Sequence, residues 1–291
     1  MRIHTTLMAI LAATALTACS GAETSSSSEA PSSASKTITA KVTLDDVLAH
    51  PRRAEQAKRD QFRNPKETLE FFEVGPGKRF GEIWPGWYTN ATAPYLAANG
   101  GQYVAVLYPE GISERLDKRM ASYKETYGDS AVFGDIEYAS FLQDSGPILA
   151  EGQEQLDVLV TYRNVHNWMG GGYAQDAFDR FYEAVKPGGI LGVVEHRLPE
   201  TAVQNPKGAT GYVQESYMKD LAERAGFEFV ASSEINANPK DTADHPFGVW
   251  TLQPRSRLPK EGSEQAADFN AAAYKNIGES DRATLKFRKP K

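Results

Sequence analysis

The chain has 291 residues, 41% hydrophobic and 24% charged, with a formal net charge of −6. That is enough chain for one sizeable domain with a well-buried core. Acids and bases are interspersed and no basic block occurs, which excludes DNA and RNA as expected partners.

The N-terminus reads as a targeting segment. Arg2 supplies a positive start, and an apolar run from Leu7 to Leu16 follows. The run is too short to span a membrane stably. It closes on Leu16-Thr17-Ala18-Cys19, which resembles a bacterial lipobox, and Cys19 is the only cysteine. The resemblance implies cleavage after residue 18, lipidation of Cys19, and a periplasmic protein of the cell envelope held by a lipid anchor. Residues 20–35 contain eight serines. Residues 19–40 therefore read as a flexible tether, and residues 41–291 as the folded domain.

Thr43 marks a helix start and Asn64-Pro65 another, a cap followed by proline at the first turn. Residues 52–62 between them are charged and favour helix. An alternation follows. Strands are expected over residues 79–84, 102–108, 131–135, 156–162, 189–195 and 227–232. Helices are expected over 90–98, 113–126, 174–185 and 213–225. Such alternation predicts a doubly wound, mostly parallel seven-stranded α/β sheet with helices on both faces. Residues 236–280 are less regular, with one strand expected over 246–252, and the alternating 283–288 supplies the last strand.

Two glycine turns lie close together. Gly75-Pro76-Gly77 precedes a strand, so it introduces that strand. Glu82-Ile83-Trp84 ends the strand, and Pro85-Gly86-Trp87-Tyr88 links it to a helix. Only the second turn has the strand–loop–helix context of a nucleoside- or phosphate-binding loop.

Here the chain resembles the class I methyltransferases that use S-adenosylmethionine. The resemblance rests on PGKRFGEIWPGWYT, on Asp157-Val158-Leu159-Val160-Thr161-Tyr162 in the fourth strand, on Lys186-Pro187-Gly188-Gly189, and on Ala225-Gly226-Phe227. It covers about residues 65–235 and is nearest to predicted bacterial methyltransferases with an E-I-W-P-G signature. This loop departs from that signature, because it carries only Gly86 where two more glycines are usual.

The resemblance implies Glu82, Pro85, Gly86, Trp87 and Tyr88 as cofactor contacts. It also implies Glu110 for the ribose hydroxyls and Asp135, at the end of the third strand, for adenine. The segment Tyr162-Arg163-Asn164-Val165-His166-Asn167-Trp168 follows the fourth strand and is similar to the His-Asp-Trp segment of small-molecule O-methyltransferases, with Asn167 in place of the acid. It implies His166 as general base, since a hydroxyl acceptor must lose a proton and histidine titrates in the useful range. Asn164 and Trp168, with Glu195 and His196 after the fifth strand, are expected around the acceptor, and one of the latter two can pair with His166. No metal site is expected, because the sequence shows no i,i+4 ligand pair or tight cluster.

The expected function is methyl transfer from S-adenosylmethionine to a small molecule, at oxygen. A non-catalytic ligand- or partner-binding envelope lipoprotein on the same scaffold is the alternative. A nicotinamide enzyme is disfavoured by the single loop glycine.

Overall fold

The computed structural model describes residues 41–291. The signal segment, Cys19 and residues 20–40 of the tether lie outside the described residues.

The domain opens with short helical pieces: α1 (Leu44–Leu48), a 3-10 turn (Pro51–Arg53), α2 (Ala54–Ala57), α3 (Asp60–Arg63) and α4 (Pro65–Phe71). Thr43 caps α1 in a reciprocal capping box with Asp46. Pro65 starts α4, but Asn64 does not cap it. Asn64 instead takes a left-handed backbone, and its side chain donates to the Ile235 carbonyl.

Then come β1 (Arg79–Ile83), α5 (Thr89–Ala98), β2 (Gln102–Leu107), α6 (Glu114–Thr126), α7 (Ser130–Phe133), β3 (Glu137–Ser140) and β4 (Leu156–Tyr162). The chain continues through α8 (Val165–Gly171), α9 (Ala174–Ala184), β5 (Val185–His196), α10 (Glu215–Ala225) and β6 (Glu228–Ser233). It ends with β7 (Pro246–Val249), α11 (Glu264–Ala267), α12 (Ala271–Ile277) and β8 (Arg282–Arg288).

Seven strands form one sheet in the order β3-β2-β1-β4-β5-β8-β6. All neighbours are parallel except β8, which runs antiparallel between β5 and β6. The fold is thus the Rossmann-like, mostly parallel sheet the alternation predicts. Every residue of β1 is buried, as expected for a strand covered on both faces. Ala177, Phe178 and Phe181 turn one stripe of α9 into the core. On the opposite face Phe72 sits where a Cβ on Gly192 would be, 2.8 Å from its ring. The helical extension is therefore seated directly on β5.

One strand differs from expectation. Residues 130–133 form the single turn α7, with Asp129 as its cap, and the third strand begins only at Glu137. A run as short as Ala131-Val132-Phe133 fits one helical turn as well as a strand. The segment 236–280 holds β7, α11 and α12, and β7 lies outside the seven-stranded sheet. Asp241 anchors this segment by accepting from the Tyr212 hydroxyl at 3.0 Å and the Asp281 amide at 2.8 Å, with His245 Nε2 at 2.7 Å.

Candidate functional site

The strand order reverses between β1 and β4, and the loops after these two strands diverge there. Open α/β sheets bind ligands at that crevice. A cavity of about 280 Å³ occupies it. Trp84, Pro85, Gly86, Trp87 and Tyr88 line one side, while Arg163, Asn164 and His166 line another. Val249, Trp250 and Arg255, from the irregular segment, cover it.

Glu82 organises the loop. It is 2% exposed and accepts the Gly86 amide at 3.2 Å and the Tyr103 hydroxyl at 2.6 Å. Thr89 joins the Tyr103 and Tyr123 hydroxyls, so the start of α5 is tied to the same network. Burial raises the Glu82 pKa from 4.5 to about 7, against the hydrogen bonds that favour its charge.

A carboxyl whose folded pKa is raised causes stability to fall with rising pH, here from about 4.5 to about 7. The full shift corresponds to about 3 kcal/mol. Glu82→Gln is expected to flatten this decline. Urea melts of both proteins at pH 5 and 8 test it, and an equal pH dependence in the two would refute the assignment.

Gly86 has an unstrained backbone, and a Cβ there would find no protein atom within 4 Å. Packing does not require this glycine, yet it leaves the cavity wall open to close approach by a ligand. Tyr88 stacks on Tyr162 at 3.8 Å and donates to the Arg63 carbonyl at 2.7 Å. Trp87 donates to the Gln56 carbonyl and carries the Arg63 guanidinium 4.8 Å over its ring. Both aromatics are thus fixed to the N-terminal helices and form wall, leaving the cavity open.

His166 sits in the first turn of α8, buried at the cavity floor. Its Nδ1 lies 3.2 Å from Glu195 Oε1, and its amide donates to Glu195 Oε2. Glu195 is fully buried and also accepts the His196 amide at 2.8 Å. This contact of His166 turns Nδ1 toward the carboxyl group and leaves Nε2 without a described protein partner. His196 Nδ1 pairs with the Ser280 hydroxyl at 2.5 Å. Burial, then His166 and Arg282, push the His196 pKa well below the ordinary histidine value, so this ring is neutral. Asn164 donates to the Ile83 carbonyl and to Thr161, bridging the ends of β1 and β4.

His166, Glu195 and His196 bring potential metal-ligand atoms within 4.8 Å of one another. The sequence allowed a partner for His166 after the fifth strand, but the three ligand atoms come together only because β4 and β5 pair in the fold. The donor types suit zinc. However, the described contacts engage the carboxylate and both Nδ1 atoms with protein partners, and Arg63, Arg163 and Arg282 all act on His196.

Three expected site residues lie elsewhere. Asp135 precedes β3, and its carbonyl accepts from Gln102 at the start of β2, so it belongs to the amino edge of the sheet. The misplaced third strand carried it there. Trp168 is fully buried among Trp84, Phe141, Phe178 and Phe181, because its face of α8 turns to the core. Glu110 is 83% exposed and pairs with Lys124 at 3.2 Å. It lines a second cavity of about 440 Å³ at the ends of β2 and β3. Trp84 and Tyr108, stacked at 4.2 Å, stand between the two cavities.

Arg63, Arg163 and the covering residues 249–255 join the site without any sequence signal that marks them. Arg163 has a left-handed backbone, φ 62°, and Trp84 opposite it has φ 47°. Such conformations are uncommon for large residues and concentrate at ligand sites.

No family model matches the chain, and no curated protein matches it. Solved structures do. The chain is similar to the [4+2]-cyclase SpnF, with 19% identity over 78% of this chain and 81% of that one and a TM-score of 0.50. A SAM-dependent methyltransferase from Aquifex aeolicus shares 14% identity over 67% of this chain and 94% of its own, with a TM-score of 0.45. Human N-acetylserotonin methyltransferase, solved with SAM bound, shares 16% over 86% of this chain and 57% of its own, also with a TM-score of 0.45. At these identities the likeness is one of fold.

Proposed function

We propose that this protein transfers a methyl group from S-adenosylmethionine to a hydroxyl of a small molecule, with His166 as general base. The observation that carries the reading is the buried His166–Glu195 pair on the cavity at the switch point of the sheet. Bound there, S-adenosylmethionine supplies an electrophilic methyl group on a sulfonium.

The chain's residues handle the rest. Glu82 holds the loop so that Gly86 admits the ligand, and Trp87 and Tyr88 wall it in. The second cavity, with Tyr108 and Glu110, offers room for the nucleoside once the stacked Trp84 and Tyr108 rings part. His166 Nε2 takes the hydroxyl proton, and Glu195 stabilises the imidazolium that results. Trp250, edge-on to His166 at 6.1 Å, helps to exclude water from above.

Calorimetric titration with S-adenosylhomocysteine tests the reading. Saturable binding is expected. Gly86→Val is expected to weaken it roughly ten- to a hundredfold, the cost of about 1–3 kcal/mol for an unaccommodated side chain, without loss of fold. Flat heats from the folded protein would refute methyl transfer. They would favour the non-catalytic binding reading, which the Trp84–Tyr108 partition supports. Lipidation of Cys19 and an envelope location belong to the same proposal. The mass of the mature protein's N-terminal peptide checks them.

A further inference from the structure

The cavity is basic in a chain whose formal net charge is −6. Arg63, Arg119, Arg163 and Arg255 line it, against the single carboxylate Glu82. Arg119 and Arg255 are exposed at the mouth, whereas Arg63 is 2% exposed and Arg163 half-buried.

Among the described residues, hydrogen-bond partners for the Nη groups of the inner pair are missing, although Arg63 also lies over the Trp87 ring. Arg63 gives only Nε to Glu279, at 3.2 Å, and among the described residues its two Nη groups have no hydrogen-bond partner. The Arg163 side chain has no hydrogen bond or ion pair among them. Around these two stand Arg59 and Arg282, and the carboxylates acting on the group are Glu279, Glu195 and the cavity's own Glu82, four guanidinium groups against three carboxylates. Glu279 is already shared by Arg59, Arg63 and Arg282. Burial and then the charge of Arg163 lower the Arg63 pKa to about 9, and burial and then the charge of Arg282 lower that of Arg163 to about 10. A cluster with surplus positive charge in a water-poor cavity gains most from an anion. Guanidinium forks with free Nη groups suit carboxylate and phosphate oxygens.

We propose that Arg63 and Arg163 form a subsite for a carboxylate or phosphate group of the acceptor, so that the molecule methylated is a hydroxylated acid. The assignment to the acceptor rests on the methyl-transfer reading. S-adenosylmethionine brings a sulfonium and an ammonium against one carboxylate, so it adds positive charge to the site. Only a second, anionic ligand offsets the arginines.

The purified protein is titrated calorimetrically with inorganic phosphate and with succinate, each with and without saturating S-adenosylhomocysteine. At least one anion is expected to bind, and to bind undiminished beside S-adenosylhomocysteine. The preferred anion identifies the group. Arg163→Gln should weaken it about tenfold or more, the loss of a charge-assisted hydrogen bond. Arg163→Gln should also melt no lower than the parent, because it removes an uncompensated charge. Arg163→Lys should keep part of the affinity.

Absence of binding by either anion overturns the proposal. So does displacement of the anion by S-adenosylhomocysteine, which would give the arginines to that molecule's own carboxylate. Anion binding without any S-adenosylhomocysteine binding leaves the subsite standing and refutes the methyl-transfer reading instead.

Discussion

Glu279→Gln is expected to destabilise the folded protein by about 3–5 kcal/mol at neutral pH, the usual cost of removing one partner from a buried ion pair. Glu279 is 2% exposed and bonds Arg59 at 2.5 Å, Arg63 at 3.2 Å and Arg282. Without it three guanidinium groups face one another with no countercharge between them. The melting temperature should fall on the order of 10 °C. Burial opposes the Glu279 charge, but Arg282, Arg63 and Arg59 outweigh burial and hold its pKa at about 2, below the ordinary 4.5. A depressed folded pKa means stability that is full above 4.5 and lost as pH falls through about 2. The deficit of the variant should therefore be constant from pH 7 to 5 and shrink below that. Chemical denaturation across this range checks it. A variant as stable as the parent at pH 7 would show that the arginines do not depend on Glu279.

His166→Ala is expected to reduce turnover about 10²- to 10⁴-fold, the range for losing a positioned general base, while S-adenosylhomocysteine binding stays within about twofold. The separation follows from the geometry. His166 lies in the first turn of α8, just after β4, and is held by Glu195, whereas the loop after β1 is held by Glu82 through Gly86. The two supports share no hydrogen bond. Once an acceptor is in hand, single-turnover kinetics and calorimetry on the same preparation read both quantities. Loss of cofactor binding together with turnover would assign His166 a structural role.

The sequence by itself determined the elements that local chemistry specifies. Apolar runs of strand length, amphipathic helices such as α9, the Thr43 cap and the Pro-Gly turn after β1 all act over a few residues, so they are legible in one dimension. That also placed Glu82, Gly86 and His166 at strand ends on the carboxyl edge, since a parallel sheet puts every such end there.

Short runs defeated the same reasoning. Ala131-Val132-Phe133 satisfies a helical turn as readily as a strand, and Asp135 went to the wrong edge with it. Trp168 follows His166 by two residues, and helical geometry turns their side chains to different sides of α8, one to the cavity and one to the core.

The rest was decided by tertiary structure. Arg63 and Glu279 are 216 residues apart in sequence, and His166 and Glu195 are 29 apart. No local pattern marks a charge whose partner arrives from another strand. Whether an arginine is paired, stacked or left facing a cavity depends on which segments the sheet brings together. Here β8, inserted between β5 and β6, delivers Arg282 beside His196, and Phe72 against Gly192 seats the extension that carries Arg63. The loop was written in the sequence, but the charge of the pocket behind it came only with the fold.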